Sequence, residues 1–154
     1  MPEFLNFLNE SLDSSFEINK KEKGMFNTDL YYVNIQDKKY RIFVEEQDKI
    51  LHIGFERLIN GNWTISTITN DLNTKEVLGL FGTILKILKN MQFNGIYIET
   101  EDSKKGQLYF NIVTKMNRDL KMVLTRNDHC IMLIKDKDVK INKSNFKYKK
   151  ENNE

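Results

Sequence analysis

The chain has 154 residues, one cysteine, 24 basic against 22 acidic side chains, and 40% hydrophobic with 30% charged residues. This is the composition of one globular domain with a sizeable core. The charge balance is too even to mark a nucleic-acid-binding protein, lone Cys130 excludes an internal disulfide, and no apolar run has the length of a membrane span. A reducing cytoplasm is the expected setting.

In chain order, Phe4, Leu5, Phe7, Leu8 and Leu12 fall at helical spacing, so residues 1–13 are expected to form an N-terminal amphipathic helix, a docking or targeting segment. Residues 13–28 are polar and read as a connecting loop. From Leu30 the period becomes two. Leu30–Gln36 and Lys39–Glu46 flank a turn at Asp37-Lys38, with Tyr40, Ile42 and Val44 alternating with Arg41, Phe43 and Glu45. Asp48-Lys49 makes the next turn. Ile50–Arg57 then sets Leu51, Ile53 and Phe55 on one face and His52 and Gly54 on the other. Asn60-Gly61 is the strongest hairpin signal and leads into Trp63–Thr69, completing a four-stranded antiparallel meander.

Asn73 with Glu76 three residues on has the form of a capping box, opening a long helix. Val77, Leu80, Phe81, Ile84, Leu88 and Met91 lie on one stripe, and Leu78, Leu85 and Ile87 widen it. The remaining narrow stripe is Gly79, Gly82, Thr83 and Lys86. Two glycines three residues apart in a strong helix fit either a solvent-facing stripe where glycine is tolerated or a close approach by another segment, such as Phe4–Leu12 or a partner chain. Gly95–Thr100 follows as a short strand, expected parallel to Trp63–Thr69 through a right-handed crossover. Ser103 opens a second helix reaching about Asn117, with Leu108, Tyr109, Ile112, Val113 and Met116 inward. Leu120–Thr125 and His129–Lys135 form a final hairpin, and the doubly apolar CIMLI is expected inside the sheet. Residues 28–135 thus make one α+β domain, and residues 136–154 read as a flexible basic tail.

Few residues carry chemistry. His52, His129 and Cys130 read as structural, no cluster has metal-ligand spacing, and Glu99, Glu101 and Asp102 read as an acidic loop. No residue pattern calls for a cofactor. The tail carries seven lysines against four acids over residues 135–154, an excess of three. With Phe146 and Tyr148 among them, it fits weak, salt-sensitive contact with single-stranded nucleic acid.

The order of helix, antiparallel meander, helix, strand, helix and final hairpin resembles the GNAT N-acetyltransferase superfamily. That resemblance implies a mixed sheet, with acetyl-CoA where the fourth and following strands splay apart and its pyrophosphate at the N-terminus of the central helix. On this chain the positions are Asn73, Thr74 and Lys75 for the coenzyme and Tyr109, in QLYFNI, for the acid that protonates the leaving thiolate. The loop 69–74 has Asp71 and no glycine where the family has its Gly-rich loop. The pattern of an apolar strand, a polar loop, VLGLFGTILKIL, an Ile-rich strand and a Leu-Tyr pair is also similar to small proteins of large tailed phages. In EFLNFLNE, Leu8-Asn9-Glu10 matches the Leu-x-Glu preference of prohead proteases. These likenesses imply a phage-encoded accessory or virion-associated protein that binds a phage or host protein, in the host-cell cytoplasm or the virion. An acetyl-CoA-dependent N-acyltransferase is the alternative.

Overall fold

A computed structural model of the chain describes residues 15–64, 73–100, 103–127 and 129–148, with the side chains of 103–106 and 127 outside that description. The expected N-terminal helix over residues 1–13, most of the Trp63–Thr69 strand, Glu101, Asp102 and residues 149–154 lie outside the described residues.

The elements are β1 (Lys20–Lys23), β2 (Thr28–Ile35), β3 (Lys38–Gln47), β4 (Ile50–Ile59), β5 (Asn62–Thr64), α1 (Thr74–Leu88), β6 (Gly95–Glu99), α2 (Ser103–Leu120), β7 (Val123–Asn127) and β8 (Cys130–Ile134). They form a mixed α+β fold around one eight-stranded, mostly antiparallel sheet in the order β1-β2-β3-β4-β6-β8-β7, with β5 on β4. The turns follow from local chemistry. Asp48, Lys49, Asn60 and Gly61 all have positive φ, as two-residue hairpin loops demand. The first hairpin turns at Gln36-Asp37, one residue before the expected position.

Register sets the two faces. Tyr40, Ile42 and Val44 of β3 pair with Arg57, Phe55 and Ile53 of β4, and the apolar members of these pairs lie in the main core beneath both helices. Both expected strand phases hold, because a slip of one residue would turn the whole apolar set to the other face. β8 lies between β6 and β7, which explains why CIMLI is apolar on both sides.

Two pairings differ from expectation. First, β6 lies parallel to β4, where the expected partner is Trp63–Thr69, a strand of which only Trp63 and Thr64 are described. Leu51 stands opposite Ile96 and Ile53 opposite Ile98. β5 holds the other end of the same β4 edge, antiparallel, at Arg57–Ile59. The pairing with β4 sets four buried aliphatic residues side by side on the core face. Second, the polar stretch KKEK is a strand, β1, paired antiparallel with β2. Its side chains show no alternation; backbone pairing holds it, assisted by Lys23 against Asp29 at 2.6 Å. Edge lysines of this kind also discourage pairing with other chains.

α1 begins with the capping box read from the sequence: Asn73 Oδ1 accepts from the Glu76 amide at 2.9 Å, and Glu76 Oε1 accepts from the Asn73 amide at 3.0 Å. Every residue from Val77 to Leu85 is buried, Gly79, Gly82 and Thr83 of the small stripe included, and Lys86 is exposed. Of the two readings that the glycines allow, the close approach is the one found, and it is made by Phe16. A Cβ on Gly79 would lie 2.6 Å from the Phe16 ring. The Phe16 amide donates to Thr83 Oγ1 at 2.9 Å, and that hydroxyl donates to the Gly79 carbonyl at 2.8 Å.

Candidate functional site

Of the positions that the acetyltransferase resemblance singles out, Asn73 and Tyr109 have structural roles and Thr74 and Lys75 are exposed. Asn73 spends its side chain on capping α1. Thr74 and Lys75 are exposed at the first turn, where amides lack intrahelical partners and an anion is favoured. The carboxylate of Glu76, bonded to the Asn73 amide, already supplies negative charge at that terminus. Tyr109 is only 6% exposed, its ring edge-on to Phe81 at 5.2 Å and to Phe55 at 6.4 Å. It belongs to the core between α1, α2 and β4.

The richest polar arrangement lies on the other face of the sheet, and the residues after β8 cover it. The segment read as a flexible tail packs there through Tyr148, because Phe146 and Tyr148 are 5% and 3% exposed. Val139 and Ile141 pack with Phe146 against Ile50, Tyr97 and Cys130. A one-turn 3-10 helix, Lys143–Asn145, capped by the Asn142 side chain, turns the chain so that Phe146 and Tyr148 point at the sheet. Tyr148 rests against Phe43 at 5.0 Å between ring centres. Phe43 in turn covers Gly54 so closely that a Cβ there would lie 2.5 Å from the ring. The aromatics expected to stack on nucleic-acid bases are therefore turned inward.

Two buried carboxylates tie this strap down. Glu45, fully buried, accepts the amide of Lys147 at 2.9 and 3.1 Å and that of Tyr148 at 3.0 Å. Gln47 Nε2 donates to it at 3.0 Å. Glu56, also fully buried, accepts Arg41 Nε and the Tyr148 hydroxyl, both at 2.7 Å. Arg41 Nη2 donates to the same hydroxyl at 2.9 Å, closing a three-membered ring of contacts. Arg41 Nη1 reaches the Tyr32 hydroxyl at 3.2 Å, which itself donates to Glu22 of β1. The guanidinium lies 4.3 Å over the Trp63 ring.

Burial opposes the charge of Arg41, but its bonds and attraction to Glu56 outweigh that, and its pKa stands above the ordinary value. The Tyr148 hydroxyl is pushed up, first by burial and then by its bond to Glu56, so it keeps its proton beyond the usual tyrosine range. Tyr97 is raised in the same way, by burial and by donating to Glu99 Oε1 at 2.7 Å. His52, 2% exposed, sits among the rings of Tyr97, Phe43 and Phe146 at 4.8–5.2 Å, with Nε2 3.9 Å from Glu99. This makes His52 a core histidine on the strap side. Cys130 is buried in the cluster with Tyr97 and Phe146, and His129 is exposed in the turn.

Reading each strand for its apolar face leaves Arg41, Glu45 and Glu56 on the supposed solvent side, which is why the cluster escapes notice. The one available signal is the spacing of Phe146 and Tyr148, two apart, as in a chain presenting one face to a sheet. Among the described residues no three His, Cys, Asp or Glu side chains are arranged to hold a metal ion, and no helix is long and apolar enough to cross a membrane. No family model, curated protein or solved structure matches the chain.

Proposed function

We propose that the protein acts by binding a protein partner rather than by acyl transfer, and that it serves a tailed phage as an accessory protein. The observation that carries the binding half is the employment of Asn73 and Tyr109. The first is consumed in capping α1, and the second is packed between Phe55 and Phe81. A general acid must reach the proton acceptor, and a ring packed in the core is poorly placed to do so. The phage half rests on the likeness in sequence pattern; mass spectrometry of purified particles decides between a place in the virion and one in the host cytoplasm.

Calorimetry with acetyl-CoA tests the choice between binding and catalysis. The expected outcome is no saturable heat at millimolar coenzyme. Saturable binding, with Tyr109→Phe lowering turnover at unchanged coenzyme affinity, overturns it in favour of an acyltransferase holding its pyrophosphate on the Thr74 and Lys75 amides.

A further inference from the structure

At one end of the sheet, the chain just before β4, β6 and β7 and just after β8 meets the C-terminal end of α2 around a cavity of about 450 Å³. Lys49, Lys121 and Lys135 line it together with Gln92 and Asn94, and among the described residues no Asp or Glu does. None of these three lysines forms an ion pair with a described carboxylate. The apolar part of the lining is Met91, Phe93, Leu120 and Met122, each partly buried against the main core.

Two of the lysines occupy costly positions. Lys49 has φ 63° in the β3–β4 turn and Lys121 has φ 54° immediately after α2. Glycine or asparagine adopts that conformation with least strain at both kinds of site. Lys135 comes from a third element, so helix-dipole compensation, which suits Lys121 at the end of α2, does not account for the set. The walls are joined by backbone bonds: the Asn94 amide to the Lys49 carbonyl at 2.7 Å, and the Lys135 amide to the Asn94 carbonyl at 2.8 Å. Asn117 fixes the remaining wall, its side chain bonding both the amide and the carbonyl of Met122 at 2.8 Å. The cavity is therefore largely pre-formed, which lowers the ordering cost of filling it.

We infer that this cavity docks an acidic peptide segment carrying an apolar anchor residue, presented by a protein partner. The inference rests on the binding reading above and names the chemistry of that partner. Three unpaired cations around an apolar floor complement carboxylates flanking a Leu or Phe side chain. Two methionines give the floor adaptable packing for such an anchor. Single-stranded nucleic acid fits less well, because its bases are held on aromatic platforms and Phe93 is the only aromatic among the described residues of the lining.

The test titrates the full chain, followed by backbone amide NMR, with a blocked hexapeptide whose central Leu-Phe pair is flanked by two glutamates on each side. The expected result is saturable shifts at residues 91–94 and 120–122, with affinity falling as salt is raised. Replacing Leu-Phe by Ser-Ser, or introducing Lys49→Gln, Lys121→Gln and Lys135→Gln together, should weaken binding at least tenfold with the melting temperature unchanged. No shifts at these amides at millimolar peptide, or equal binding by the triple variant, overturns the inference. Stronger binding there by a twelve-residue oligothymidylate assigns the cavity to nucleic acid instead. Acetyl-CoA calorimetry separates the two levels: a silent peptide with no coenzyme binding removes this cavity alone, whereas coenzyme binding removes the reading beneath it.

Discussion

On the helix side of the sheet the core is built from aliphatic and aromatic residues, with Ile42, Ile53, Phe81 and Ile112 all buried in one continuous cluster. On the strap side, Phe43 and Tyr97 share the surface with Arg41, Glu45, His52 and Glu56, all of them buried. The first face closes by area and needs only the right period in each element. The second closes by pairing, since every buried charge has to be matched and every exposed backbone group of the strap satisfied. One sheet thus carries a side that tolerates repacking and a side that depends on individual bonds.

That contrast is sharpest if the strap is removed. Truncation after Lys140 withdraws Phe146 and Tyr148, each about 1.5–3 kcal/mol of apolar burial, and takes away the two amides on Glu45. Denaturant unfolding should show a loss of about 3–6 kcal/mol. An unchanged midpoint would make the strap a surface appendage and erase the distinction between the faces. Within the strap side, Glu56→Ala leaves Arg41 buried without its carboxylate and should cost about 3–5 kcal/mol. The double variant Arg41→Met with Glu56→Leu should recover most of that loss, because an apolar pair of similar volume removes the need for matching. If the double variant is as unstable as the single one, the pairing is not what closes this face. The smallest effect is expected on the helix side. Gly79→Ala gains about 1 kcal/mol of helix propensity but drives a methyl into the Phe16 ring, an overpacking cost of about 1–3 kcal/mol. A net loss of roughly 1 kcal/mol in thermal unfolding is expected, and a stabilised variant would show that Phe16 yields freely.

The same contrast decides what was legible in the sequence. The helix side rests on local periodicity, so Tyr40, Ile42 and Val44, the α1 stripe, the Asn60-Gly61 turn and the Asn73–Glu76 capping box all stand where the pattern places them. The Gly79 stripe allowed a close approach, but its partner, Phe16, lies 63 positions earlier, outside any helical period. The strap side depends on contacts between residues 92 to 107 positions apart, such as Glu56 with Tyr148 and Arg41 with Tyr148. Alternation marks Arg41, Glu45 and Glu56 as outward, and nothing local tells a solvated face from one covered by a segment a hundred residues on. The partner of β6 is hidden for a related reason: strand phase says which face is apolar, and says nothing about which edge a strand will join. The cavity lysines show the complementary case, since only backbone angles reveal that Lys49 and Lys121 stand where glycine is favoured.

Amide hydrogen exchange at Lys147 and Tyr148 tests the account of the strap side most directly. Both amides donate to fully buried Glu45. They should exchange as slowly as the β3 amides of Ile42 and Val44, through the same cooperative opening. Exchange at the rate of an unstructured chain, with β3 still protected, would contradict the claim that the C-terminal strap is part of the fold.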